Sequence, residues 1–354
     1  MDRSEFTRRV LIATTVVALV VAAGAVFVRA SDVFFLFFLA VLLAILFRGA
    51  ADAVARWTGL KIGRALALVV LLVVAVIGTG AYGVGSMAAA QFDQLASDFP
   101  RSLDQARAYL NARPWGRQVV QNVPSSDELM SGSGGVAARA AGLFSTTLGV
   151  VGNTVVLAVL TLYLATDPRA YRHGLLALAP PRHRPRAGQV LDAVGFHLRW
   201  WLLDRLAAMA AVGLITGVGL WLVGVPQFLV LGLIAGVLTA VPFVGPIAAA
   251  VPGVLLAFTQ GPTTALWALG VYLLAQAIEN YLITPLVQQG TVGLPPVLTV
   301  AAVVLAGALF GVVALIVAAP LAVALMVAVK MLYVEDVLGD RLDVPGEQPQ
   351  ASAV

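Results

Sequence analysis

The chain has 354 residues, of which 60% are hydrophobic and 11% charged, with a net charge of +4 and a mean hydropathy of +0.94. Soluble domains carry roughly 25% charged residues, so an ordinary globular domain is excluded and an all-α polytopic membrane bundle is expected. The positive balance is no nucleic-acid footprint, because the arginines sit at the ends of apolar segments; the absence of cysteine excludes disulfides and thiol catalysis, and three scattered histidines give no metal-ligand spacing, so neither metal nor cofactor is expected.

Apolar segments long enough to span a bilayer begin with Val10 to Val28, preceded by Arg8 and Arg9. This stretch resembles a signal peptide, but seven more apolar segments follow and a retained anchor helix is the simpler reading. Arg29 belongs to a short outer loop, after which Val33 to Phe47 continues through Arg48 and Asp52 as an interfacial helix whose arginine snorkels to the headgroups. Ala65 to Met87 is the third span and closes the N-terminal unit, residues 1–87. An extracytoplasmic insertion, residues 88–140, carries Phe92, Leu95, Phe99, Leu103, Ala106 and Leu110 at helical spacing. That pattern predicts an amphipathic helix interrupted near Pro100, then a Ser/Gly-rich connector over Ser125 to Gly135.

The C-terminal unit, residues 141–345, opens with spans at Ala141 to Thr166 and Leu206 to Val223, continues with Leu266 to Ile283, and is followed by a disordered tail over 346–354. Phe228 to Phe258 and Val297 to Val329 are too long for one upright helix each; they tilt, extend or break. About eight crossings result, with the N-terminus in the cytoplasm of a bacterial-type inner membrane, because Arg3, Arg8 and Arg9, the group Arg48, Arg56, Lys61 and Arg64, and the group Arg169 to Arg186 fall on one side.

Between Leu206 and Val329 the only ionisable residue among Asp, Glu, Lys, Arg and His is Glu279. A charge at mid-membrane costs about 3 kcal/mol on insertion scales, so a lone acid there marks a partner, a cavity or a pathway. Gln276, Glu279 and Asn280 share one helix face, and Pro285 is expected to stop that helix. Val241-Pro242-Phe243-Val244-Gly245-Pro246 interrupts the preceding segment with a broken or re-entrant helix, since Pro246 lacks an N–H and its ring would meet the Pro242 carbonyl. If that break packs on the stripe, Glu279 accepts hydrogen bonds from freed amides or takes up a proton. Arg199, Asp204 and Arg205 with Trp200 and Trp201 read as interfacial anchors, Asp204 doubling as a candidate cytoplasmic gate; adjacent on a helix, Asp204 and Arg205 are not expected to face each other. Gly307 and Gly311, like Gly213, Gly217 and Gly224, read as helix-packing positions. No phosphate-binding loop or hydrolase motif is present, which excludes ATP-driven transport by this chain alone.

The stretch Leu220 to Pro226, the Pro-Phe-Val-Gly-Pro break, Glu279-Asn280 with Pro285, Val292 to Pro296, and Gly311 with Ala319-Pro320-Leu321 together resemble the C-terminal half of the autoinducer-2 exporter family, the PerM-type permeases. Where relatives show Asn-Pro after the second helix, this chain has Arg48-Gly49-Ala50. The resemblance implies a transporter of small solutes, in some members the autoinducer-2 signal and in others Na⁺ or Li⁺ against H⁺, assembled as a homo-oligomer for which a pentamer has been described. It points at Pro242, Gly245, Pro246, Glu279 and Asn280 as translocation positions and at Pro285, Gly293, Pro295 and Pro320 as hinges. A proton-coupled carrier of a small polar solute is the leading expectation; a Na⁺(Li⁺)/H⁺ antiporter, a non-transporting scaffold and a passive channel stay open. Lipid and the small-molecule or cation substrate are the expected partners, and nucleic acid is not.

Overall fold

A computed structural model describes residues 3–113, 147–287 and 294–340, with backbone alone over 3–29 and 147–151 and at 81 and 312. Every element among these residues is helical. Five helices are long and apolar enough to cross a membrane, and four shorter apolar ones accompany them, as expected for a polytopic α bundle. The Ser125 to Gly135 connector, Gly293 and the 346–354 tail lie outside the described residues.

Helix α1 runs unbroken over Arg3–Thr58, so the outer loop expected at Arg29 does not form. Val28-Arg29-Ala30-Ser31-Asp32 contains neither Gly nor Pro, and nothing in it ends a helix. Near its end Arg48 does not reach for headgroups. It pairs with Asp52 at 3.3 Å and donates to the carbonyls of Ala165 and Thr166 at 3.2 and 3.3 Å, satisfying the last turn of α3, Thr147–Thr166. The departure at Gly49 also has a structural use: a Cβ there would press on the Arg199 guanidinium at 3.1 Å.

Helix α2, Ile62–Asn111, is continuous through Pro100, so the expected interruption is absent and residue 88 falls inside one long rod. Part of its apolar stripe buries, with Leu95, Leu103 and Ala106 all under 9% exposed, while Phe92 stays exposed. After α3 comes a short helix α4, Pro168–Ala177, capped by the Asp167 side chain, and then α5, Arg184–Val223, a 40-residue helix. Gly224 ends α5 with φ 86°, and Val225 N–H closes back on the Leu220 carbonyl at 2.9 Å. Gly224 is thus a left-handed C-terminal cap rather than a packing residue.

Both long apolar segments break into hairpins. The first consists of α6, Phe228–Leu238, and α7, Val244–Phe258, packed on each other and joined by a short tip. Helix α6 lies tightly on α5 through glycine: a Cβ on Gly232 would come 2.7 Å from Gly217 Cα and 2.9 Å from the Gly213 carbonyl. Such small-residue faces let backbones approach closely, as the spacing of Gly213 and Gly217 implies. Then α8, Pro262–Ile278, passes into a π-helical turn over Glu279–Ile283 and a last short helix α9, Thr284–Val287. Pro285 therefore does not stop the helix. The wide turn, in which Thr284 N–H bonds the Glu279 carbonyl, shifts the hydrogen-bond register ahead of the proline.

The second hairpin pairs α10, Pro296–Phe310, with α11, Val312–Val329, about Gly311 at φ 81°. Gly311 is the bend itself, and Gly307 makes room for Leu315 across the hairpin. Pro320 is buried inside a helix that continues past it. Val241 from the first tip packs with Val303 and Ala318, seating one hairpin on the other.

Candidate functional site

The tip of the first hairpin is built by its prolines. Pro246 falls in the first turn of α7, where no amide partner is needed, so the residue that would break a helix here begins one. Between the helices Val244 N–H bonds the Pro242 carbonyl at 2.7 Å, and Phe243 takes φ 63° and ψ −49°. This is a γ-turn of the rare, strained kind, held by a non-glycine residue. Gly245 is required beside it, because a Cβ would collide with the Leu238 carbonyl.

Opposite the tip, at the end of α8, Glu279 is 4% exposed. It is not solitary: Arg205 Nη1 donates to Glu279 Oε1 at 3.1 Å and to the Thr239 carbonyl at 3.3 Å. That carbonyl belongs to the C-terminal end of α6, where the helix dipole favours a cation. The amides of Val244 and Gly245 are taken by Pro242 and Val241 carbonyls, so the guanidinium, rather than freed amides, serves Glu279. Asp204, fully buried, brings Oδ2 to 3.8 Å from Arg205 Nη2, against the expectation that neighbours on a helix stay apart; the long arginine folds back alongside it. The Trp201 ring lies 5.8 Å from the guanidinium.

These groups border a cavity of about 480 Å³. Of the expected translocation residues, Gln276, Glu279, Asn280, Pro242 and Pro246 line it, while Gly245 supports the tip from behind. Among the expected hinges, Pro285, Pro295 and Pro320 stand one to three residues from the lining side chains Thr284, Pro296 and Val323. Asp204 backs Arg205 instead of lining the space. Sequence reasoning missed Arg205 and His197. Arg205 was read only as an interfacial anchor and His197 was not singled out; the signal that finds Arg205 is that a buried acid needs a cation from some other helix.

The second half of α2 holds both ends of the hairpin. Gln91 Oε1 accepts from the N–H groups of Leu229 and Val230 at 3.1 and 3.2 Å, capping α6 from another helix. Gln227 donates to Asp98 at 3.3 Å, and the Tyr109 and Phe258 rings meet edge-on at 5.0 Å.

The sequence profile described as AI-2E family transporter matches residues 14–333. Two Bacillus subtilis (strain 168) proteins, each named as a candidate transport protein, are similar. YrrI is 29% identical over 161 residues, 46% of either chain, and YueF is 24% identical over 284 residues, 76% of this chain and 77% of its own. The match thus spans about half the length of YrrI and about three quarters of YueF.

Proposed function

We propose, on the premise that this chain belongs to the AI-2E family of transporters, that it is a secondary carrier of a small polar solute of the autoinducer-2 kind, coupled to a proton held on Glu279. The observation that supports this most is the ion pair on the cavity wall: Arg205 bridges the Glu279 carboxylate and the freed Thr239 carbonyl of the broken hairpin. Protonation of Glu279 removes its charge and loosens its bond to Arg205, while the Thr239 bond remains to hold the guanidinium. The tip and α8 then separate, and the cavity opens to one side of the membrane. Deprotonation restores the bridge and closes it.

Two carboxyls, Asp204 and Glu279, stand against the one guanidinium that touches both. A carboxyl on the cavity wall suits a site that alternately takes a proton or a small cation, and Na⁺(Li⁺)/H⁺ antiport is the second reading. The carrier sits in a bacterial-type inner membrane with the Arg48 to Arg64 side cytoplasmic, surrounded by lipid and assembled as a homo-oligomer such as a pentamer. Proteoliposomes supplied with autoinducer-2, Na⁺ or Li⁺ under a pH gradient test the reading. Glu279→Gln should abolish gradient-driven flux without unfolding the protein. Undiminished flux in that variant removes proton coupling, flux insensitive to any counter-gradient indicates a passive channel, and no flux with any solute indicates a scaffold.

A further inference from the structure

Buried polar atoms in native proteins almost always find a hydrogen-bond partner, and those that do not ask for an explanation. Three side chains on the wall of this one cavity carry such atoms. His197, 1% exposed on α5, has neither Nδ1 nor Nε2 hydrogen-bonded; Glu279 Oε2 and Arg205 Nε are in the same condition. An imidazole always has a donor and an acceptor, or when charged two donors, to satisfy, and burying one unsatisfied costs about 1–3 kcal/mol. A merely structural position is served as well by leucine. The cavity that these side chains line has room for several waters at about 30 Å³ each.

We propose that His197 is the second proton-holding group of this transporter, exchanging one proton with Glu279 through water in the cavity. The inference rests on proton coupling at Glu279. In the step, the carboxyl O–H of Glu279 breaks and an N–H forms on the imidazole, water passing the proton along. Neutral acid and neutral imidazole become carboxylate and imidazolium, with no change in proton count. The carboxylate re-forms its bond to Arg205, so the closed ion pair and the loaded histidine belong to one state, and the open pair and the loaded acid to the other. The charged groups around the pair are few. Arg205 and Asp204 act on Glu279, with the Gln276 amide also interacting with its carboxyl; Lys330, at the end of α11, is the charged side chain acting on His197. Histidine suits this role because its charge changes within the physiological range.

The chain contains only three histidines, and the other two, His173 and His183, are exposed. The variant His173→Asn/His183→Asn therefore leaves one imidazole for ¹⁵N-histidine NMR of the full-length protein in lipid nanodiscs. We expect the imidazole to titrate in two steps, which Glu279→Gln reduces to one, as for any coupled pair. A titration unchanged by Glu279→Gln, or no titration between about pH 4 and pH 9, overturns the inference. In proteoliposomes His197→Asn, of similar size but unable to take a proton, should lose the pH dependence of flux that the two-histidine variant keeps. Flux lost in Glu279→Gln while His197→Asn keeps the full pH profile leaves the proposed function standing and removes this inference. Undiminished flux in Glu279→Gln removes proton coupling itself and this inference with it, whereas a two-step titration alongside flux lost in Glu279→Gln and its pH dependence lost in His197→Asn supports both.

Discussion

Arg205 and Glu279 meet at 3.1 Å with side chains 15% and 6% exposed, so both charges have lost most of their water. Removing one partner of a buried pair strands the other at about 3–5 kcal/mol, while replacing both by apolar residues of like size is near neutral. Arg205→Met and Glu279→Met should therefore each lower the thermal unfolding temperature in detergent, and the double variant should recover part of the loss, Asp204 still lacking its Arg205 contact. Losses that simply add in the double variant would show that the two side chains do not act as a pair. A solitary intramembrane acid was legible in the sequence, as was the polar stripe around it. Its partner was not, because Arg205 lies on another helix, beyond the apolar span, and sequence distance says nothing about contacts between helices.

Among the elements, the first hairpin depends on what α2 and α5 offer it. Gln91 takes the place of a side-chain cap at the start of α6, and a lost cap costs about 1 kcal/mol. Gln91→Leu should leave the fold intact and speed amide hydrogen exchange in the first turn of α6; unchanged exchange at Leu229 and Val230 would deny the cap. Gly232 stands where α6 crosses Gly213 and Gly217, with no room for a methyl group. Gly232→Ala should cost about 1–3 kcal/mol through overpacking, read as a drop in unfolding temperature, and an unchanged temperature would mean the two helices part easily. The break at Pro242 to Pro246 was readable because proline and glycine limit the backbone locally. The continuity of α2 through Pro100 was not, since a proline bends a helix or ends it according to what packs around it.

Across the whole molecule, the first residues of α5 clasp the end of α11 and the π-helical turn Lys330–Glu335 that follows it. Arg186 donates to Glu335 at 2.6 Å, to Asp336 at 3.0 Å and to the Met331 carbonyl at 2.9 Å, while Val190 and Ala193 bury Val327 and Met331. The long helix that supplies Arg205 and His197 to the cavity is thereby tied at its other end to the last hairpin. Arg186→Gln should raise hydrogen exchange selectively over Lys330–Glu335 and leave the first hairpin unchanged; a uniform rise would mean that the clasp governs the whole fold.

Composition alone determined that this protein is a bundle of membrane helices, because hydrophobic transfer depends on side-chain content and segment length, which are properties of the chain. Local stereochemistry likewise fixed where the backbone must break, at Pro242 to Pro246. Tertiary structure decided that α2 is a single rod, that Gly311 is a bend, and that Glu279 faces Arg205 and shares a cavity with His197. Each of these depends on which distant surfaces meet, and a charge becomes a partner only at distances that folding sets.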